Sequence, residues 1–224
     1  MRNPSSIPAI LTQRLWFPDP RLALKNDDGG LLAVCGDLSV ERLLLAYRSG
    51  IFPWSVDPIT WWSPDPRGIF EMPHFHTPRS LARTLRKHIF EVTRDKAFRQ
   101  VMKGCASRDH SGTWIGPEFI EAYVRLHEAG HAHSVECWQK GELVGGIYGV
   151  TVGGLFAGES MFHTASDASK VALHHLVHHL LEREFALFDI QMVTPITRQL
   201  GAVEISREEY LKRLAAAVEL RCVF

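Results

Sequence analysis

The chain has 224 residues, of which 46% are hydrophobic and 22% charged, a composition typical of a soluble globular protein. Basic and acidic residues are equal in number, 25 each, so the overall charge gives no sign of a nucleic-acid partner. No apolar run approaches the roughly 20 residues of a membrane-spanning helix, and the first residues lack the pattern of a secretory signal. Four dispersed cysteines predict reduced thiols in a cytoplasmic protein.

Residues 1–66 are predicted to form a small amino-terminal domain rich in proline, tryptophan and glycine. Its one clear helix begins after Ser39 as N-cap and ends at Gly50. Two tryptophan- and proline-rich segments follow, FPWS (52–55) and WWSPDPR (61–67), and we expect them to form an irregular aromatic loop. Exposed tryptophans near basic residues stack nucleobases, but a packed aromatic core is an equally ordinary use for them. The set comprises Trp54, Trp61, Trp62 and Trp114.

A basic block between Arg67 and Arg108 contains ten Lys or Arg and three acids. A helix predicted from Thr77 or Pro78 to His88 puts its cations on one face because their spacing follows the helical repeat. These residues are Arg79, Arg83, Arg86 and Lys87. Such a face suits a polyanion, and it is also typical of a helix surface that only meets solvent.

Residues 67–224 are predicted to form a second, mixed α/β domain. A helix over 117–128 precedes a meander of strands with turns at Gln139–Gly141 and Gly153–Gly154. A helix over 167–184, a strand over 187–193 and a last helix from Ser206 to about Val218 follow. Strands joined by a crossover helix predict a mixed sheet.

Polar residues in the predicted strand Leu187–Val193 give the first site candidate. Asp189 and Gln191 alternate with large apolar residues, so they should share one face of the strand. If this strand is buried, a carboxylate beside a carboxamide is costly and indicates a functional site. If the strand is half-exposed, the two residues only form its polar outer face and indicate no function. Glu159, at the end of another predicted strand, is a second candidate because ligands lie at strand ends in α/β sheets.

Histidines at 174, 175, 178 and 179 form two pairs with the spacing of zinc ligands on a helix. The HExxH signature is absent and a third ligand is missing apart from Glu182, so we expect no metal site. Phosphate-binding and dinucleotide-binding glycine motifs are absent as well, and we expect no cofactor.

Ten segments, read together, resemble the leucyl/phenylalanyl-tRNA–protein transferase family. They run in order along nearly the whole chain: CGDLS (35–39), YRSGIFPW (47–54), WWSPDPR (61–67), TWI (113–115), AYVRLHEAGHAHSVECW (122–138), LVGGIYGV (143–150), FAGESMF (156–162), ASK (168–170), FDIQ (188–191) and LGAVEISREEY (200–210). Each is weak alone, and their number makes the resemblance specific.

The resemblance implies a small amino-terminal domain followed by an acyltransferase domain of the GNAT type. It implies that leucine or phenylalanine moves from aminoacyl-tRNA to a protein with amino-terminal Arg or Lys, which marks that protein for degradation. From the sequence itself we expect a cytoplasmic protein that does not bind a membrane, and a monomer, since nothing in it demands a dimer.

The resemblance also implies roles for individual residues. Trp54 and Trp114 flank the 3′-terminal adenosine, and Glu159, Asp189 and Gln191 are catalytic. The apolar pocket for the donor side chain draws on Leu155, Leu173 and Leu176. Because glutamine is a very poor base, we expect Gln191 to orient the amine, Asp189 to hold the carboxamide, and Glu159 to contact a cationic group of a substrate.

Four positions and one segment depart from the usual family pattern. Cys35 replaces Gly, His163 replaces Ser, Asp167 replaces Asn, and Leu176 replaces a larger aromatic residue. The segment TPITR (194–198) replaces a more polar stretch. These departures put donor and acceptor preference in question more than the reaction. The alternatives are a related transferase with another preference and a non-catalytic module that binds tRNA or peptide. An acetyl-CoA-dependent acetyltransferase is a further rival, but its pyrophosphate loop motif is absent.

Overall fold

A computed structural model describes residues 7–24, 29–107 and 115–224. Its strands form two sheets, and the first has four strands in the order β1-β2-β4-β3. These strands are β1 (Ala9–Leu11), β2 (Leu31–Cys35), β3 (Phe52–Val56) and β4 (Ile59–Trp62), with helix α1 (Val40–Arg48) between β2 and β3. The predicted helix is confirmed, since Ser39 caps α1 and Leu43 and Tyr47 are buried.

The prediction of an irregular loop around the tryptophans is wrong, because β3 and β4 pair as an antiparallel hairpin. Pro53 is tolerated because β3 is an edge strand, and Pro58 lies in the turn. Val56, Ile59 and Thr60 are β-branched residues that favour strands. The aromatic side chains therefore project from a regular sheet, and they can be held at fixed positions.

The second sheet has seven strands in the order β11-β5-β10-β9-β8-β7-β6. Its strands are β5 (Arg67–Phe70), β6 (Glu91–Arg94), β7 (Ala132–Gln139), β8 (Glu142–Val152), β9 (Leu155–His163), β10 (Leu187–Gln191) and β11 (Ala202–Ile205). Only the β9–β10 pair is parallel in this sheet, as the crossover between them requires. The mixed α/β class and the predicted meander are confirmed.

Six further helices accompany this sheet within the described ranges. They are α2 (Arg79–Arg86), α3 (Phe98–Ala106), α4 (Pro117–Glu128), α5 (Ala168–Glu182), α6 (Pro195–Gln199) and α7 (Arg207–Ala217). The predictions for α2, α4, α5 and α7 are confirmed to within a few residues. The sequence patterns do not predict β6, α3, α6 and β11. These elements are short or preceded by few capping signals, and α3 lacks a side-chain cap.

Two hydrophobic clusters fill the two faces of the seven-stranded sheet. One contains residues of α2 and α5 together with Phe70, Phe156 and Phe188. The other contains residues of α1, α3, α4 and α7, and it includes Trp61 of the four-stranded sheet. The division into domains over 1–66 and 67–224 stays a prediction. Among the described residues, no helix is long and apolar enough to cross a membrane.

Candidate active site

The candidate site lies where β9 and β10 separate. Their parallel ladder ends at the pair Asp189–Ala157, so Glu159 and Gln191 border an opening beyond the last pair. Gly158 makes room for this geometry, because a Cβ atom there would lie 2.9 Å from the Phe188 ring. Strand ends of this kind are common ligand sites in α/β sheets.

A cavity of about 470 Å³ fills this opening. Its walls are mainly apolar, and Glu159 is the only ionisable side chain among the described residues that line it. The lining comprises Phe52, Pro53, Trp54, Phe70, Ile147, Gly158, Glu159, Ser160, Met161, Leu173, Ile190, Gln191, Met192, Thr194, Pro195, Ile196 and Thr197. A cavity of this kind suits an apolar group together with one cation.

Gln191 enters the cavity through a sharp change of backbone direction. Its φ is +57°, in the left-handed region that residues other than glycine rarely occupy, and the register against β5 shifts between Asp189 and Gln191. Asp189 stabilises this turn, because its Oδ1 accepts the Gln191 amide hydrogen at 2.9 Å. Strained backbone of this kind is concentrated at functional sites.

The bulge overturns the expectation that Asp189 and Gln191 face the same space. Gln191 lines the cavity, with Ile190 and Met192 beside it, whereas Asp189 does not. Asp189 also does not hold the carboxamide, since the Gln191 Nε2 donates to Glu159 Oε1 at 3.3 Å. Strict alternation fails here because one extra residue in a strand turns the following side chains to the other face.

Asp189 is fully buried in a cluster with Arg67 and Tyr210. The Arg67 guanidinium donates to both carboxylate oxygens, at 2.8 and 2.6 Å, and the Tyr210 hydroxyl donates at 2.9 Å. Arg67 also lies over the Tyr210 ring, 4.3 Å from its centroid. The negative charge of Asp189 is therefore matched by a planar cation that presents paired donors.

Glu159 has no cationic partner of its own among the described residues. Its Oε2 accepts from the Tyr123 hydroxyl at 3.4 Å, and Tyr123 is hydrogen-bonded in turn to Tyr47. Burial raises the pKa of Glu159 to about 8, and the charge of Asp189 adds to the rise, while both tyrosine hydroxyls and Arg67 oppose it. Near neutral pH this carboxyl can hold or release a proton.

Four residues of the site are not marked by any sequence pattern: Arg67, Tyr47, Tyr123 and Tyr210. Arg67 heads the strand RGIF, and its burial there is visible only in the structure. A buried arginine requires compensating acceptors or an acid. The tyrosines carry no signal either, since their helical positions are typical of ordinary core residues.

The predicted substrate-binding residues are only partly brought together. Trp54 and Leu173 line the cavity, and Trp54 packs edge-on against Trp62 with ring centroids 5.2 Å apart. Trp114 lies outside the described residues. Leu155 and Leu176 are buried in the hydrophobic clusters and are not among the described residues that line this cavity, so their part in the pocket stays a prediction. Leu155 lies four residues before Glu159, about 13 Å along the strand.

The predicted basic face of α2 is exposed. Arg79, Arg83, Arg86 and Lys87 all meet solvent, and no ion pair involves them within the described ranges. Asp167 links α2 to α5, accepting from the Thr84 hydroxyl at 2.9 Å and pairing with Lys170. Asp167 and Cys35 both have positive φ, which explains why Asn and Gly suit these positions.

The histidines of α5 do not assemble a metal site. Across the part of the chain that the structure describes, no group of three His, Cys, Asp or Glu side chains could hold a metal ion. Burial lowers the pKa of His174 to about 4, with the neighbouring His178 and His175 adding to the effect.

Two family models match this chain. The leucyl/phenylalanyl-tRNA protein transferase model matches residues 69–215, and the model of the amino-terminal domain of that family matches residues 36–65. The chain is similar to a leucyl/phenylalanyl-tRNA–protein transferase from Solidesulfovibrio magneticus, with 56% identity over 91% of this chain and 83% of the relative.

A protein of the same description from Syntrophobacter fumaroxidans is 54% identical, over 92% of this chain and 88% of the relative. Among solved structures, a GCN5-related N-acetyltransferase-like protein from Streptococcus suis matches with a TM-score of 0.36 and 13% identity. That match covers 71% of this chain and 61% of the other.

Proposed function

The chain belongs to the leucyl/phenylalanyl-tRNA–protein transferases, a family of aminoacyltransferases, and we propose that it moves leucine or phenylalanine from aminoacyl-tRNA to the amino-terminal Arg or Lys of acceptor proteins. The observation that supports this acceptor most directly is the cavity itself. It combines apolar walls with a single carboxyl group, Glu159. We also propose that the enzyme acts as a cytoplasmic monomer and marks its acceptors for degradation.

The reaction converts an activated ester into an amide. The acceptor amine attacks the ester carbonyl carbon, the carbon–nitrogen bond forms, and the bond to the ribose oxygen breaks. The proton that the amine loses ends on the departing ribose hydroxyl. An α-amine has a pKa near 8, so a useful neutral fraction exists near neutral pH and the main task is to hold the two reactants together.

Gln191 positions the amine in this proposal. Because its Nε2 donates to Glu159, the carboxamide oxygen is left to accept a hydrogen from the incoming amine. Asp189 acts one step further back, since it fixes the Gln191 backbone. Asp189 is therefore a positioning residue, and Gln191 is the group that touches substrate.

Glu159 receives the cationic side chain of the acceptor. With a pKa of about 8 it is largely neutral at pH 7 in the empty cavity, and an arriving Lys or Arg favours the ionised form. Acceptor binding should then release a proton. An uncharged side chain offers no such compensation, so the same carboxyl selects for cations.

Trp54 is the proposed partner of the 3′-terminal adenosine, with Trp114 as its expected counterpart. A base stacked on tryptophan gains about 1–3 kcal/mol without sequence preference. Leu173, together with Ile147 and Phe70, forms apolar wall for the leucine or phenylalanine side chain.

A transfer assay tests the proposal. Purified enzyme is mixed with [¹⁴C]leucyl-tRNA and a model protein with amino-terminal Arg or Lys, without ATP. The same protein with an acetylated amino terminus is the matched control. Base-stable label on the free amino terminus alone is the expected result. No label with either charged tRNA would favour a related transferase of other preference, or a module that binds without catalysis.

The basic face of α2 is the proposed tRNA-binding surface. Replacing Arg83 and Arg86 by Gln should weaken tRNA binding and flatten its salt dependence by about one unit of slope for each phosphate that the variant no longer neutralises. The control variant replaces Arg99 and Arg213, whose guanidinium groups pair with acids. It removes the same number of positive charges. Equal slopes for the two variants, measured by filter binding from 50 to 300 mM salt, would contradict this assignment of α2.

A further inference from the structure

The mouth of the cavity is formed by a single short segment. Among the described lining residues, the exposed ones all lie between Met192 and Ile196, whereas the others are buried or half-buried. Met192 and Ile196 are each 46% exposed, and both adjoin the apolar lining of the cavity. The apolar lining of the cavity therefore extends to the protein surface at Met192 and Ile196.

The segment from Met192 to Ile196, here called the rim, is locally rigid. Thr194 and Thr197 cap the first turn of α6 reciprocally, and Pro195 occupies its first position. Ile196 therefore projects from a fixed backbone. Met192 follows the strained Gln191 directly, and its unbranched side chain can adapt to different neighbours.

The path of the acceptor chain connects this rim to the reaction. If the amine lies at Gln191 and the first side chain reaches Glu159, the second residue begins one Cα–Cα step, about 3.8 Å, further on. That step leads past Met192, which is adjacent to Gln191 in the chain. Trp54, the proposed adenosine partner, also lines the cavity.

We infer that Met192 and Ile196 form a subsite for the second residue of the acceptor and that this subsite favours an apolar side chain there. This inference rests on the proposed function. None of the described residues at the rim is charged, and Arg198, which follows it in the chain, pairs with Glu204 and does not line the cavity. An apolar side chain buries against both residues, and a rim contact of this kind changes kcat/KM by about 5- to 10-fold.

Paired acceptor peptides test the subsite. The peptides begin Lys-Leu and Lys-Ser and are otherwise identical, and transfer from leucyl-tRNA is measured as kcat/KM. The wild-type enzyme should prefer Lys-Leu by about 5- to 10-fold. In Ile196→Ser and in Met192→Ser the preference should fall towards one, mainly because Lys-Leu becomes a poorer substrate.

Val203→Ser is the matched control, because Val203 is an exposed apolar residue of β11 that does not line the cavity. It should retain the wild-type preference. Transfer to both peptides at equal rates by the wild-type enzyme, or an unchanged preference in both rim variants, would overturn the subsite alone. Failure to transfer to either peptide would overturn the proposed function and the subsite with it.

Discussion

Two carboxylates lie close together at the separation of β9 and β10, and their surroundings differ. Asp189 is enclosed by Arg67 and Tyr210, which donate three hydrogen bonds to it. Glu159 has two tyrosines behind it and a carboxamide beside it, and it borders the cavity. The charge of Asp189 is compensated within the protein, whereas Glu159 has no cationic partner among the described residues and is largely protonated at pH 7.

The difference indicates how a substrate cation is selected. A carboxylate that already has a buried arginine gains little from a second cation. A carboxyl whose pKa is raised by burial becomes fully charged only when a cation arrives, so binding and ionisation are linked. The fixed ion pair holds the backbone of Gln191, and in the proposed function the unpaired acid receives the substrate cation.

Removing Arg67 should have the largest effect. Arg67→Met leaves Asp189 buried without its cation, and the free energy of unfolding should fall by about 3–5 kcal/mol, measured by urea denaturation. The double variant Arg67→Met/Asp189→Leu removes both charges and should recover much of the loss. If the single variant were as stable as the wild type, Asp189 would not depend on Arg67 to compensate its buried charge.

Glu159→Gln should alter the pH dependence of stability. Between its unfolded pKa near 4.5 and its folded pKa of about 8, the folded wild type holds a proton that the unfolded chain has lost. Stability from this group is therefore complete below pH 4.5 and declines as pH rises to 8, by at most about 1.4 kcal/mol per pH unit.

The Gln side chain cannot ionise, so this decline should be absent in the variant. Thermal unfolding at pH 5 and pH 8 measures the difference. The stability of the variant relative to that of the wild type should be higher at pH 8 than at pH 5. Parallel stability curves for the two proteins would show that Glu159 does not titrate in this range.

Tyr123→Phe should have the smallest effect and should separate the two acids. The Tyr123 hydroxyl lowers the pKa of Glu159, so its removal should move the pH profile of acceptor KM upward by up to about one pH unit. Tyr210→Phe is the control, because Tyr210 donates to Asp189 and not to Glu159. A similar change in both variants would mean that the two acids act as one group.

Much of the framework can be predicted from the sequence, because long amphipathic patterns and capping residues dominate local structure. Ser39 and Ser206 begin α1 and α7 as expected, and the turns at Gly141 and Gly153 lie where the strands reverse. The hairpin of β3 and β4 is hidden in the sequence because prolines, which usually mark loops, lie at an edge strand and in a turn.

The site is less predictable because its geometry depends on long-range partners. Alternation along β10 groups Asp189 with Gln191, and a bulge separates them. Arg67 and Asp189 are 122 positions apart, so no local pattern pairs them. Family resemblance points to Glu159 and Gln191, which border the cavity, and also to Leu155 and Leu176, which are buried beside it and do not line it.

The most direct measurement compares lysine with norleucine at the acceptor amino terminus, because norleucine has a similar aliphatic chain without the ammonium group. Transfer from leucyl-tRNA is followed as kcat/KM for wild type and Glu159→Gln. The wild type should prefer lysine by about 10- to 100-fold, the range for a hydrogen bond to a charged group, and the variant should lose most of that preference while still transferring leucine. Full retention of the lysine preference in Glu159→Gln would contradict the assignment of Glu159 as the group that receives the acceptor cation.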